Sequence, residues 1–477
     1  MIRINDLVIV LPGITGSVLE KDGKEIWAAS GKAFLQGLTT HFNSLRDLAL
    51  GGVEDSQDDD LCDGVRATRL IDDVHIVPGI HKINGYSDLR RLLTQNFQIV
   101  QGRLDNNDPA NYFEFPYDWR RDNRVSARRL QRFVEERLAR WREFSGAKEA
   151  KTILIAHSMG GLISRYYLEV LGGWQDCKLL VTFGTPYRGS PAILHTLAYG
   201  VKQFGLKIDM LTQLVKSWPS AYQLLPRYPV VNVEDKWLRV TETNVIPNLT
   251  PDVAQKGLSF IHEIDAARES NQKNERYHTQ GYKIIPVVGT HQRTWQSVWY
   301  KDGQVTFSYG APPIVGDALA TGDGTVPRVS AVPLELSNDY RESFHPEKHA
   351  SLQSNADLLS RLAATLVTTQ SNRIDEVKGG DPILEPHQAA LSLAVDDLYP
   401  TNTPVKLEVE LLNVETGGEL VVTVKGAETR VARVTANEGV QQIEISPLVV
   451  GTYHVELSII GGKATSVHDV FAVREPL

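Results

Sequence analysis

The sequence predicts a mostly parallel α/β body followed by an all-β sandwich, and three observations carry that prediction. Short β-branched runs alternate with longer segments of helical period from Leu7 to about residue 370. A serine stands between one such run and one such segment, in Ala156-His157-Ser158-Met159-Gly160-Gly161. Beyond about residue 370 the helical period stops, and short alternating stretches follow one another.

Within the body, residues 7–11, 152–156, 179–183 and 284–288 are apolar, rich in branched side chains and bounded by Gly or Pro. Such runs suit central strands covered on both faces. Leu130, Phe133, Val134, Leu138 and Trp141 recur at helical spacing, and the basic residues from Arg120 to Arg132 are expected on the solvated side of that helix. Two segments, about 30–85 and about 187–282, break the rhythm and read as insertions that form a cap. The acidic run at 54–60 lacks an ordered ligand spacing and reads as a solvated loop rather than a calcium site.

The body therefore spans 1–370, a Gly- and Pro-containing linker 371–388, and a second domain 389–477. Strands are expected at 390–395, 405–411, 419–424, 429–435, 441–445, 453–459 and 465–473, the number and spacing of an immunoglobulin-like sandwich. Gly451-Thr452-Tyr453 fits either a tyrosine-corner-like element or a plain turn.

Composition bounds the function. A chain of 477 residues exceeds one ordinary core, and 42% hydrophobic with 23% charged residues is globular usage. A net charge of -8 argues against nucleic acid as the main partner. Two cysteines, Cys62 and Cys177, make no disulfide framework and fit a reducing compartment. The apolar run 7–11 is too short for a signal peptide and ends in Pro12-Gly13, and no stretch is apolar enough to span a bilayer. A cytoplasmic protein with at most peripheral membrane contact is the expectation.

The chemistry centres on Ser158. A serine on a sharp turn between strand and helix needs small neighbours, which Ala156 and Gly160 provide. Its hydroxyl becomes a nucleophile when a histidine takes the proton and an acid orients that histidine. Asp323, flanked by Gly322 and Gly324, is the preferred acid and Asp317 its rival; His349 is the preferred base and His345 the alternative. Oxyanion donors are expected from the amide of Met159 and, in the loop Pro12-Gly13-Ile14-Thr15-Gly16-Ser17, from that of Ile14. This loop lacks the Lys-Ser/Thr ending of a phosphate loop, so nucleotide binding is not expected.

At this point the chain resembles the lecithin:cholesterol acyltransferase family, which includes lysosomal phospholipase and related bacterial enzymes. The landmarks are Leu11-Pro12-Gly13-Ile14-Thr15-Gly16-Ser17, Pro116-Tyr117-Asp118-Trp119-Arg120, the serine motif, Gly184-Thr185-Pro186-Tyr187-Arg188-Gly189-Ser190, Gly322-Asp323-Gly324-Thr325-Val326-Pro327 and His349. The resemblance implies an α/β-hydrolase fold, a triad of Ser158, Asp323 and His349, and oxyanion donors at Ile14 and Met159. It also implies a lipid ester substrate, hydrolysed or transferred through an acyl-enzyme. Trp27, Trp218, Tyr222 and Leu225 are candidates for the acyl-binding surface, with cap core as the alternative for each. No metal or cofactor is expected. A small-ester or lactone hydrolase, and a hydrolase-like binding protein, are the competing readings; the sandwich is open to a lipid, glycan or protein partner.

Overall fold

The computed structural model describes residues 1–27, 46–50, 60–77, 81–203, 206–207, 209–316, 320–336, 344–370, 389–414, 417–437 and 439–475. Most of the acidic run, the rival acid Asp317 and the linker 371–388 lie outside the described residues.

The main sheet begins with β1 (Leu7–Leu11), buried along its whole length, and the chain then forms β2 (Ser17–Lys21) and β3 (Lys24–Trp27). Asp22 and Gly23 turn that hairpin with φ of 51° and 75°, values that the Asp-Gly pair tolerates. β4 (Val65–Leu70) completes a small antiparallel sheet against β2. After β5 (Tyr112–Glu114) comes α1 (Asn123–Ser145), capped by Asp122, whose side chain accepts from the Arg124 N–H, and closed by Gly146 at φ 72°. Then follow β6 (Thr152–His157), α2 (Met159–Glu169) and β7 (Cys177–Phe183).

Beyond β7 the chain builds β8 (Val231–Val233), β9 (Lys236–Leu238) and α3 (Pro251–Asn271) before returning as β10 (Lys283–Gly289). It leaves again through the hairpin β11 (Ser297–Lys301) and β12 (Gln304–Ser308), returns at β13 (Phe344–His345) and ends the body with α4 (Ala356–Gln370). The main sheet has six strands in the order β13-β10-β7-β6-β1-β5, every pair parallel. All the connecting loops that carry candidate groups therefore leave its C-terminal edge. The second insertion runs further than expected, because β8 pairs in parallel with β11, so residues after β10 join its four-stranded sheet. Its apolar residues, from Leu194 to Ile264, merge with the strands into one core, and Phe260 of α3 stacks on Tyr166 of α2 at 5.2 Å.

Arg120 corrects the expectation of a solvated basic face. It precedes α1 and is fully buried, because its guanidinium donates to Asp118 at 2.6 Å and 2.9 Å, to Asp63 at 2.9 Å and to the Asp47 carbonyl at 2.8 Å. A guanidinium satisfied on all sides tolerates burial.

Past the body come β14 (Ala390–Val395), β15 (Leu398–Pro400), β16 (Val405–Leu412), β17 (Glu419–Gly426), β18 (Thr429–Thr435), β19 (Gly439–Ile445), β20 (Gly451–Ile460) and β21 (Val467–Arg474). They form sheets β14-β16-β19 and β15-β21-β20-β17-β18 around one core, to which Leu407 and Val409 contribute from the first and Val422 and Leu457 from the second. The Tyr453 hydroxyl donates to the Val449 carbonyl at 2.9 Å, four residues upstream.

A Gly- and Pro-containing linker suggests few contacts between the parts that it joins, yet here the two parts adhere. Val74 and Ile76 of the body share a cluster with Leu398, Val470 and Ala472, and Lys82 meets Asp469 at 2.9 Å. Linker composition says nothing about the faces on either side of it.

Candidate active site

Ser158 ends β6 and opens α2 at φ 50° and ψ -123°, a left-handed position that the tight strand-to-helix turn imposes. The turn is braced: the Ser158 N–H donates to the Phe183 carbonyl at 2.8 Å, and the Ser158 carbonyl accepts from Thr185 Oγ1 at 2.8 Å. A Cβ on Gly160 would lie 2.4 Å from the Pro12 carbonyl oxygen, and one on Gly13 would lie 2.9 Å from Ser158 Cβ. Both positions must be glycine for the 12–16 loop to lie against the turn.

His349 reaches the same point from the loop after β13. Its Nε2 is 3.0 Å from Ser158 Oγ and its Nδ1 is 2.7 Å from Asp323 Oδ2. The other Asp323 oxygen accepts from the amides of Thr325 at 2.9 Å and Val326 at 2.6 Å, and the Asp323 carbonyl accepts from the His349 N–H at 2.8 Å. All three side chains are buried. The remaining ring nitrogen is set by logic: a carboxylate oxygen only accepts, so Nδ1 carries the proton and Nε2 is free to take the one on Ser158. His345 lies elsewhere, on the edge strand β13, and burial, then the Arg361 charge, lowers its pKa to about 4.

Met159 is the first residue of α2, where an N–H has no acceptor within the helix. Ile14 sits between Gly13, whose N–H donates to Tyr86 Oη at 2.8 Å, and Thr15, held at φ 59°. Trp27 donates from Nε1 to the Thr15 carbonyl at 2.9 Å and packs edge-on against Trp119 at 4.9 Å. Trp218 likewise donates to the Leu48 carbonyl, Tyr222 to the Lys216 carbonyl, and Leu225 is fully buried. These four side chains are thus placed in the core, where Trp27 pins the 12–16 loop.

Two features carried no sequence signal. The first is a hydrogen-bonded chain behind the site: Tyr86 Oη lies 3.0 Å from His157 Nδ1, and His157 Nε2 lies 3.2 Å from the His349 carbonyl. That carbonyl only accepts, so His157 donates from Nε2, accepts from Tyr86, and Tyr86 accepts from Gly13. The second is Glu347, buried two residues before His349. It accepts from the Lys348 amide at 2.8 Å, Asn355 Nδ2 at 2.8 Å, and both the amide and Nδ1 of His468 of β21, at 3.0 Å and 2.7 Å. The second domain thereby grips the loop that carries the imidazole. His468 is itself partly buried, which works against its charge, but Glu347 raises its pKa above the usual value.

Among the described residues no helix is long and apolar enough to cross a membrane, and no cluster of His, Cys, Asp and Glu could hold a metal ion.

Comparison with known proteins agrees with the landmarks. A stretch of 91 residues is 40% identical to Uncharacterized protein YJR098C of Saccharomyces cerevisiae, 19% of this chain and only 12% of the yeast protein. Among solved structures, Bacillus licheniformis lipase BlEst2 in propeptide form aligns with 99% of this chain and 94% of its own at 10% identity and a TM-score of 0.31. Superoxide reductase (Neelaredoxin) from Ignicoccus hospitalis aligns with 18% of this chain and 80% of its own at 8% identity and a TM-score of 0.15. Likenesses at these scores carry no argument. The model described as Lecithin:cholesterol acyltransferase matches residues 97–315, a span that takes in Ser158 and Met159 and stops short of Asp323 and His349. Through that span the chain is similar to the lecithin:cholesterol acyltransferase family, and it spans only a small part of the curated relative that it matches.

Proposed function

We propose that this protein is a serine hydrolase or acyltransferase of the α/β-hydrolase type acting on lipid esters, with Ser158, His349 and Asp323 as its triad. The observation that carries the reading is the continuous line of hydrogen bonds, 3.0 Å from Ser158 Oγ to His349 Nε2 and 2.7 Å from His349 Nδ1 to Asp323. In the reaction Ser158 Oγ attacks the ester carbonyl as His349 Nε2 takes its proton, and Asp323 holds the imidazolium. The amides of Ile14 and Met159 receive the oxyanion. Collapse expels the alcohol with the proton from His349, leaving an acyl-serine that water or an acceptor alcohol resolves. We take the second domain as an immunoglobulin-like sandwich.

The test compares wild type with Ser158→Ala, His349→Ala and His345→Ala on esters of increasing chain length and on phospholipid vesicles with and without an acceptor alcohol. Ser158→Ala and His349→Ala should each lower kcat by about a thousandfold or more, and His345→Ala should leave it within about threefold. Turnover of Ser158→Ala above about a hundredth of wild type would remove it as nucleophile. Faster turnover of short soluble esters than of any phospholipid would favour a small-ester hydrolase.

A further inference from the structure

The second domain reaches the acid side of the site as well as the base side. On the acid side the link is one buried residue, Gln292, which follows β10. Its N–H donates to the Gly322 carbonyl at 2.9 Å. Its carbonyl accepts from Thr294 Oγ1 at 2.8 Å, and that hydroxyl accepts from the Gly324 N–H at 2.8 Å. Both neighbours of Asp323 are thereby tied to residues 292–294. The Gln292 side chain joins the other domain: Nε2 donates to the Leu391 carbonyl at 3.0 Å, and Oε1 accepts from the Leu393 N–H at 3.1 Å. Leu391 and Leu393 lie on β14, the edge strand of its sheet. An edge presents backbone groups without a strand partner, and this side-chain amide meets one donor and one acceptor there, as a residue of a neighbouring strand would.

On the base side two consecutive residues of β21 meet two consecutive residues of the histidine loop. His468 bonds Glu347 at 2.7 Å, and Asp469 lies 3.7 Å from Lys348 Nζ. Lys348 directly precedes His349, and its side chain passes beside the acid loop, since a Cβ on Gly324 would lie 3.4 Å from Nζ and 3.7 Å from Cδ. Asp323 and His349 are 26 residues apart and come from different loops. Their 2.7 Å bond therefore depends on how those two loops are held.

We propose that the second domain holds the acid and the base together, with Gln292 as the positioning residue on the acid side and Lys348, through Asp469, on the base side. The inference rests on the proposed triad. It goes beyond adhesion: a domain that only packs against the body adds stability, whereas one that grips both loops sets the distance from His349 Nδ1 to the carboxylate. A misplacement of about 1 Å at reacting groups costs up to about a hundredfold in rate, so a loop loosened at one anchor loses a measurable part of that.

The test compares Gln292→Leu, which keeps the backbone bonds to the acid loop and removes the side-chain bonds to β14, with Leu398→Ala. The latter thins the apolar cluster of Val74, Ile76, Leu398, Val470 and Ala472, which has no member from either loop. Two readouts are taken: kcat and KM on a soluble ester, and the low-field proton resonance of the His349 Nδ1–H, assigned by its absence from Asp323→Asn. The resonance reads the acid–base contact whether or not an ester is turned over, so an inactive wild type counts against the proposed function alone. Gln292→Leu should lower kcat about tenfold with KM within about twofold, and should broaden or remove the resonance. Lys348→Met should act in the same direction. Leu398→Ala should lower the melting temperature and leave kcat and the resonance as in wild type. If Gln292→Leu does not fold, Gln292→Glu carries the test, since it keeps an acceptor for the Leu393 N–H, and it should lower kcat about threefold. Wild-type kcat and resonance in the Gln292 variant, or a loss in Leu398→Ala as large as that in Gln292→Leu, overturns the proposal; wild-type kcat in Lys348→Met overturns its base half.

Discussion

Removing the hydroxyl of Tyr86 strands two buried groups at once, the Gly13 N–H and His157 Nδ1. Each loses a buried hydrogen bond, which costs about 1–3 kcal/mol per group. Because Gly13 adjoins Ile14 and His157 adjoins Ser158, Tyr86→Phe should loosen the proposed oxyanion donors and the turn together. The expected result is a kcat about ten- to a hundredfold lower with KM little changed, read from initial rates on a soluble ester. A purely structural role would lower the denaturation midpoint and leave kcat per folded molecule alone. At this scale the proposed triad was legible because such chemistry demands a serine turn, a glycine-flanked acid and a histidine in a fixed chain order. Tyr86 was not, since an isolated tyrosine before a helix has no local pattern, and its partners lie 73 and 71 residues away. Trp27 shows the converse: acyl contact and cap core were both open for it, and it lies in the core, because ring size alone does not separate the two uses.

The loop between β13 and α4 belongs as much to the sandwich as to the body. Glu347 is satisfied by His468, and Ser351 Oγ donates to the His468 carbonyl at 3.3 Å. A chain cut after α4 should therefore be less stable and slower than the intact protein, by an amount visible in both melting temperature and kcat. His468 also makes the interface pH-dependent. Its folded pKa is raised by Glu347, with Glu456 and Asp357 adding to the effect, so its stabilisation is complete below the unfolded value and is lost as pH rises through the folded one. His468→Ala should cost about 1–2 kcal/mol at pH 6 and less at pH 8.5, measured by denaturant unfolding. A difference that grows with pH would contradict the assignment. Elements with clear periodicity were legible: four central strands and seven sandwich strands stand where alternation or branched runs put them. The edge strands Tyr112–Glu114 and Phe344–His345 were not, because three and two residues cannot display a period. The hairpin at Asp302-Gly303 had a signal, an Asp-Gly pair with φ of 51° and 76°, overshadowed by the apolar run before it.

At the scale of the whole molecule, an all-parallel sheet brings Ser158, Asp323 and His349 to one edge although they come from distant parts of the chain. The family match ends at residue 315, so the acid and the base lie on stretches that it does not cover. Arg120 has a consequence for engineering. One guanidinium holds the Asp47 carbonyl at 2.8 Å and the Asp63 carboxylate at 2.9 Å, which fixes both ends of the segment between them. Arg120→Met removes the charge that the Asp118 and Asp63 carboxylates face and should cost about 3–5 kcal/mol, read by denaturant unfolding. A redesign of the basic surface must therefore leave Arg120 alone, although it begins a run of basic residues in the sequence.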